Sequence, residues 1–223
     1  MLKKVFLLIF IVAINFASAQ KKEGYIKYKI NYSGDSMEMQ LAASMMKNAT
    51  LEIYFDTEKT RVDMKTPGVY DIVSIVNTVD NEVLTLFEVP MMGQKKYIKS
   101  SITEFEDYND NSKNEKSNIE FVNETKTILG YKCKKAIMKG EGIEISYWYT
   151  EDIKVNTIGQ QNFNINIPGH PLEFVTKGEG ITVSFVATEF SKLSSEQKNK
   201  VFSTKKPEGY QEATYDDIKT GTF

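Results

Sequence analysis

The chain has 223 residues, of which 41% are hydrophobic and 26% charged, and its formal net charge is −2. Positive and negative residues are mixed along the sequence without a basic block, which makes nucleic acid and anionic membranes poor partners. Cys133 is the only cysteine, so an internal disulfide is excluded and the fold must rest on an apolar core.

The first 19 residues have the pattern of an export signal. Lys3 and Lys4 precede an apolar run at residues 5–16, and small residues follow at 17–19. The apolar run is about a dozen residues long, whereas a membrane-spanning helix needs roughly 20. The pattern therefore predicts a cleaved signal peptide rather than a membrane anchor.

Cleavage would leave residues 20–223 as a single domain with a net charge of about −4, since two lysines are removed. The exported protein would begin with Gln20 rather than a cysteine, so lipid attachment is not signalled. We expect a periplasmic protein that does not itself span a membrane. Secretion out of the cell is the alternative.

Alternation of apolar and polar residues predicts strands through the first half of the chain. The predicted strands cover residues 24–32, 51–55, 61–65, 70–78, 83–89 and 96–99. The strands at 70–78 and 83–89 have aliphatic residues on both faces, which indicates that both faces are covered.

The segment between the first two strands has helical spacing instead. Asp35 or Ser36 can cap a helix that runs to Asn48. Its apolar stripe consists of Met37, Leu41 and Met45, with Ala42 and Met46 beside it. We expect this stripe to pack across the sheet or, because unbranched thioethers adapt to irregular surfaces, to contact an apolar ligand.

Residues 106–118 are polar and almost without apolar anchors, so we expect a mobile loop. A linker between two domains is the alternative. Beyond this segment the strand pattern resumes at residues 119–127, 131–139, 143–150, 172–177 and 181–190, which favours one continuous sheet.

The sequence Lys-Gly-Glu-Gly-Ile occurs twice, at 139–143 and 177–181, each time between two predicted strands. Glycine readily adopts the dihedral angles of tight hairpin turns, so both are predicted hairpin tips. A phosphate-binding loop is disfavoured because no helix follows either one. Two short helices are expected near the end, from Ser194 or Ser195 and at 214–219.

Catalytic and metal-binding patterns are weak. His170 is the only histidine, which excludes a zinc site with paired imidazoles. It is expected in a turn between Gly169 and Pro171. The Gly-x-Ser-x-Gly motif of hydrolases does not occur, and neighbouring carboxylates are expected by chance in a chain this charged. We therefore predict no catalytic residue, no metal and no cofactor.

Two further residues have alternative interpretations. Cys133 is a buried small hydrophobe or, beside Lys132 and Lys134, a redox-active thiol. Trp148 is expected on the strand face opposite Tyr147 and Tyr149, where it packs beneath a helix or belongs to a binding surface.

Residues 124–136 (ETKTILGYKCKKA) and 147–153 (YWYTEDI) resemble uncharacterised exported bacterial families. These are related to the GLPGLI proteins and to the LolA-like lipoprotein-carrier superfamily. The segment at 201–210 resembles their closing motif, and residues 167–172 match the GLPGLI name motif in part.

The resemblance implies a strongly curved antiparallel sheet, a half-barrel, with a few helices covering its concave side. Together with the strand pattern it predicts a mainly β (α+β) fold. It also implies an acyl chain held between sheet and helices, and it supplies no catalytic residues.

Three classes of function are open. The first, which we favour, is a non-catalytic periplasmic binding or carrier protein with an apolar concave site for a lipid or other hydrophobic ligand. In this hypothesis the methionine stripe lines the mouth of the half-barrel and strand residues fill it. The predicted ligand-binding residues are Met37, Leu41, Met45, Met46, Tyr28, Ile30, Ile53 and Phe55.

The second class is a protein-interaction module, such as a plug or adaptor of an outer-membrane secretion machine, which exposed strand edges and tyrosines would suit. The third is a hydrolase that uses unpaired carboxylates. An apolar cavity of a few hundred Å³ would favour the first class, whereas a filled interior would favour the second.

Overall fold

The computed structural model describes residues 20–109, 118–140, 142–156 and 167–220. The predicted signal peptide, residues 110–117 of the predicted polar loop and Glu141 of the first hairpin tip lie outside the described residues. No helix in the described part of the chain is both long enough and apolar enough to cross a membrane.

Strands dominate the structure, with 56% of the described residues in strands and 17% in helices, so the predicted mainly β class is confirmed. The strands are β1 Gly24–Gly34, β2 Thr50–Phe55, β3 Lys59–Thr66, β4 Tyr70–Asn77, β5 Glu82–Val89, β6 Gln94–Ser100, β7 Asn118–Ile128, β8 Tyr131–Gly140, β9 Ile143–Thr150, β10 His170–Gly178, β11 Ile181–Ser191 and β12 Gln211–Glu212. The helices are α1 Met37–Met45, α2 Ile102–Asn109, α3 Ser195–Val201 and α4 Tyr215–Thr220, and a 3₁₀ turn covers Pro90–Met92.

All twelve strands belong to one open, curled sheet, as the sequence predicted. Their order is β12-β6-β5-β4-β3-β2-β1-β11-β10-β9-β8-β7. Neighbouring strands are antiparallel except β12, which lies parallel to β6. The first strand of the chain thus lies in the middle of the sheet, between β2 and β11.

The main core covers one face of β1, β2 and β8–β11, which we call the inner face. Large buried side chains on this face include Tyr28, Tyr147 and Phe174. The Phe174 ring stacks on Phe185 with centroids 4.2 Å apart, and the Tyr28 ring meets Phe174 edge-on. Protein side chains therefore fill this half of the sheet's interior.

The strands β4 and β5 are covered on both faces, as predicted. On one face Ile75 and Leu84 pack with Tyr210 from the chain's last segment. On the other face Val83 packs with Phe105 of α2. Two smaller clusters thus extend the core to the half of the sheet that holds β3–β6.

The helix α2 corrects the expectation that a loop begins at residue 106. Ser101 and Glu104 form reciprocal hydrogen bonds: the Ser101 backbone N–H donates to Glu104 Oε2 at 2.8 Å and the Glu104 N–H donates to Ser101 Oγ at 3.2 Å. This capping box starts the helix, and burial of Phe105 anchors it. The apolar residues that anchor α2 precede the polar run at 106–118, so the composition of that run gave no sign of a helix.

The two expected C-terminal helices are present as α3 and α4. The side chain of Ser194 caps α3, and Gln197 completes a capping box there. The strand β12 was not predicted, because its two residues are too few to show alternation.

Candidate functional site

The helix α1 connects β1 to β2 and lies against the end of β1. Ser36 caps it as predicted, accepting a hydrogen bond from the Met39 N–H at 3.2 Å. The helix ends at Met45, before Asn48 adopts a positive φ of 67°. The predicted helix is confirmed, three residues shorter than expected.

The apolar stripe of α1 points away from the sheet. Met37, Leu41 and Met45 are 87%, 67% and 62% exposed, and no residue of α1 is buried. We call these three side chains the α1 stripe. The expectation that the stripe packs across the sheet was wrong, because the less exposed residues are Met39, Ala43 and Met46.

The orientation of α1 has a local cause in Gly34, the last residue of β1. A Cβ atom there would lie 2.2 Å from the Cβ of Met39, so only glycine allows this close approach. Met39, Ala43 and Met46 also recur at helical spacing, so α1 has two apolar stripes. The spacing alone could not show which of them faces the sheet.

The four strand residues predicted to bind ligand are all buried on the inner face. They are Tyr28, Ile30, Ile53 and Phe55. They belong to the main core and are packed against other core side chains, whereas the α1 stripe is in contact with water. The structure thus separates seven of the eight predicted ligand-binding residues into two groups, and the eighth, Met46, is half-buried just after α1. Ligand binding by any of them stays a prediction.

The histidine contributes to the core rather than to a reactive site. His170 is the first residue of β10 and is buried, and its Nε2 lies 2.8 Å from the hydroxyl oxygen of Tyr28. The Tyr28 hydroxyl donates to the Pro171 carbonyl oxygen at 2.8 Å. Burial lowers the pKa of His170 to about 3, so the imidazole is neutral at physiological pH.

The cysteine is also buried. Burial raises the pKa of the Cys133 thiol to about 11, which keeps it protonated near neutral pH. Of the two alternatives, the buried hydrophobe fits the structure and the redox-active thiol does not.

Trp148 lies on the outer face, opposite the buried Tyr147, as the alternation predicted. The Lys126 amine lies 4.4 Å from its ring centroid and the Lys135 amine 5.4 Å. Lys126 also pairs with Glu173 at 2.7 Å. In the described residues, lysine side chains rather than a helix thus lie over the indole.

The two Lys-Gly-Glu-Gly-Ile segments form neighbouring hairpin tips, β8–β9 and β10–β11. Between them lies a cleft of about 810 Å³ whose lining includes Lys139, Glu144, Lys177 and Glu179. Asp35, just before α1, also lines the cleft, and its N–H donates to the Gly180 carbonyl oxygen at 2.9 Å. The sequence repeat predicted both tips, but it could not show that they are adjacent.

Lysine and carboxylate side chains alternate across this cleft. Lys139 pairs with Glu144 at 3.6 Å, and Lys177 lies opposite Glu144 on the neighbouring strand. In the described part of the chain, no group of three or more His, Cys, Asp or Glu side chains could hold a metal ion. The arrangement suits a polar, overall neutral group.

Comparison with solved structures identifies a shared fold. The chain is similar to the crystal structure of PNGF-II, with 20% identity and a TM-score of 0.51, over 89% of this chain and 33% of PNGF-II. The chain therefore spans about a third of that protein. No curated protein matches the sequence.

Two weaker similarities involve proteins of comparable length. An uncharacterised conserved protein from Thermus thermophilus is 10% identical with a TM-score of 0.47, over 85% of this chain and 89% of that one. The Mycobacterium tuberculosis lipoprotein LppX is 7% identical with a TM-score of 0.36, over 76% and 87%. Both TM-scores are below 0.5, and the resemblance to GLPGLI proteins stays a prediction.

One family model matches residues 26–217, nearly the whole of the described sheet and its helices. Its description is the N-terminal domain of N-glycanase peptide. The chain therefore belongs to the family of N-glycanase N-terminal domains.

Proposed function

We propose that this chain is a non-catalytic, exported binding protein whose α1 stripe contacts the acyl chain of a lipid. The exposure of Met37, Leu41 and Met45 carries the proposal. Burying a side chain of this size is worth about 1.5–3 kcal/mol, so three neighbouring ones in water favour an apolar contact. Unbranched methionines adapt their shape to a flexible chain.

The filled interior counts against a ligand held inside the half-barrel and, by the criterion stated above, in favour of a protein-interaction module. A lipid contact is therefore proposed at the surface of the half-barrel rather than inside it. Tyr28 and Phe55 are buried among core side chains, and a ligand would have to displace those side chains to reach them. The cleft beside Asp35 starts where α1 starts, so the polar end of an amphipathic ligand would lie among paired charges. A surface site beside this cleft is the arrangement that the geometry supports best.

The proposal predicts that replacing one residue of the stripe weakens ligand binding. We expect Leu41→Gln to raise the Kd for a fluorescent long-chain fatty acid about tenfold, which corresponds to about 1.4 kcal/mol. The control is Val79→Gln, which changes an equally exposed apolar side chain on the turn between β4 and β5. The proposal fails if the protein binds no fatty acid, or if both variants weaken binding equally.

The absence of catalysis is a separate part of the proposal. His170 is buried and neutral, and Cys133 is buried and protonated, so neither supplies a nucleophile or base to a substrate. The family is named after an N-glycanase, and the region of PNGF-II that this chain matches is a third of that protein. We expect the isolated chain to release no glycan from a glycopeptide, and detection of free glycan by mass spectrometry would refute this.

The open edge of the sheet favours a second candidate, a protein-interaction module. The terminal strand β7 has eleven residues and, among the described strands, only β8 beside it, which suits strand addition by a partner. A photo-crosslinking residue at Phe121 would then capture a partner with one-to-one stoichiometry. If a residue at Leu41 captures lipid and the one at Phe121 captures nothing, the first proposal stands and this one fails.

A further inference from the structure

Exposed apolar side chains are concentrated at one end of the sheet. Of the nine large apolar side chains that are exposed in the described residues, six lie at the end where α1 follows β1. These six are Met37, Leu41, Met45, Met91, Met92 and Ile143. Val79 and Leu129 lie at the opposite end, and Phe121 lies within β7.

The six side chains come from three separate connections that the strand pairing brings to the same end. The end of β1 pairs with the start of β11, since Gly34 lies opposite Ile181. The end of β5 pairs with the start of β6, so the turn Pro90–Met92 lies at this end too. Ile143 begins β9 at the hairpin tip. We call this end of the sheet, with its three apolar connections, the α1 rim.

The α1 rim is broad. Strand order places the Pro90–Met92 turn about four strand spacings from α1 and Ile143 three spacings on the other side. At about 4.8 Å per spacing, the arc is roughly 34 Å long. An arc of separate apolar projections suits an extended surface better than one compact ligand.

Positive and negative side chains are interspersed on the α1 rim: Glu38 and Lys47 lie in or just after α1, and Lys177 and Glu179 lie at one hairpin tip. Lys139 lies 3.6 Å from Glu144, and Lys95, just after the methionine turn, lies 2.8 Å from Glu88. The turn Pro90–Met92 has no charged residue, and the last turn of α1 has no basic one. A surface without a basic cluster does not suit anionic lipids, whereas neighbouring cations and carboxylates complement the phosphate and ammonium of zwitterionic headgroups.

We propose that the α1 rim docks onto a zwitterionic lipid bilayer, with its six apolar side chains entering the interface between headgroups and acyl chains. This inference rests on the proposed function, because the α1 stripe would meet its acyl chains within a bilayer. It adds Met91, Met92 and Ile143, which the fatty-acid site does not require.

The test is flotation of the exported protein with phosphatidylcholine vesicles. We expect the variant with Met91→Ser and Met92→Ser to bind vesicles about tenfold more weakly while its affinity for soluble fatty acid is unchanged. Val79→Ser, at a site as exposed as Met92 but at the opposite end, should bind vesicles like the unmodified protein. Thermal unfolding of each variant checks that it folds.

Three results would overturn the inference. They are absence of flotation, binding that requires phosphatidylglycerol and disappears in high salt, and equal losses in the Val79 and methionine variants. Sedimentation that shows a dimer abolished by the methionine substitutions would assign the α1 rim to a second copy of the chain instead. Because fatty-acid binding is measured separately, these results leave the proposed function standing.

Discussion

The buried His170 links the stability of the fold to pH. Burial lowers the pKa of its imidazole to about 3 in the folded protein, compared with 6.5 as the ordinary histidine value. Between these two pH values the unfolded chain binds a proton that the folded protein does not. The stability contribution is therefore fully present above pH 6.5 and decreases as the pH falls towards 3.

We expect the free energy of unfolding to fall by up to about 2 kcal/mol between pH 6.5 and pH 5 because of this residue, since one pKa unit is worth about 1.4 kcal/mol. Urea unfolding at both pH values measures the change. His170→Gln cannot titrate, so its stability should fall less over the same interval. An equal fall in both proteins would show that other groups cause the acid sensitivity.

Individual residues were predictable only where their neighbours are close in sequence. Ser36 and Ser194 cap helices through residues three positions away, and the sequence indicated both. The partner of His170 is Tyr28, 142 positions earlier, so sequence patterns could not reveal that the imidazole is buried. The exposure of Leu41 depends in the same way on how α1 meets the sheet.

At the scale of elements, an ion pair on β3 holds α3 against the sheet. Arg61 Nε and Nη2 donate to the two carboxylate oxygens of Asp63 at 2.6 and 2.9 Å, and Asp63 is buried. Arg61 Nη1 donates to the Val201 carbonyl oxygen at the end of α3, at 3.1 Å. The carboxylate thus orients the guanidinium that binds the helix end.

We expect Asp63→Asn to lower the free energy of unfolding by about 3 kcal/mol, because it leaves a largely buried guanidinium without its counter-charge. The matched control is Glu124→Gln, which breaks the solvent-exposed pair with Lys135 and should cost less than about 1 kcal/mol. Denaturant unfolding measures both. Equal effects would mean that the pair contributes no more than a surface contact.

The elements themselves were predictable to different degrees. Alternation located β1–β11 because successive side chains in a half-buried strand face core and water in turn. It failed for β12, which has two residues. The helix α2 was missed because the polar residues after Phe105 outweighed the capping box of Ser101 and Glu104. The helix α1 has two apolar stripes, so its sequence did not show which of them faces the sheet.

At the scale of the whole molecule, β1 joins the two halves of the sheet. It pairs with β2, its neighbour in sequence, and with β11, which follows about 150 residues later. Pairing between strands that are far apart in sequence produces no pattern in the residues near either strand. The sequence therefore predicted one continuous sheet but not the position of β1 within it. The cleft between the hairpin tips and the α1 rim both depend on that order, and neither was predictable.

The central position of β1 predicts that cooperative folding requires β11. A chain that ends after Gly178 lacks β11, so β1 loses its pairing with the second half of the sheet. We expect this chain to lose its sharp denaturant transition. A chain that ends after Tyr210 keeps β11 and the core residue Tyr210, lacks only β12 and α4 among the described elements, and should keep a sharp transition. Circular dichroism of both chains during urea unfolding is the test.

The helix α1 lies in the connection between β1 and β2, which are adjacent and paired. None of its side chains is buried. Substitutions on its outward face therefore cost the sheet little stability. Mutation can therefore change the chemistry of this surface while the fold persists. One short connection can thus be replaced while the twelve described strands are retained as a scaffold.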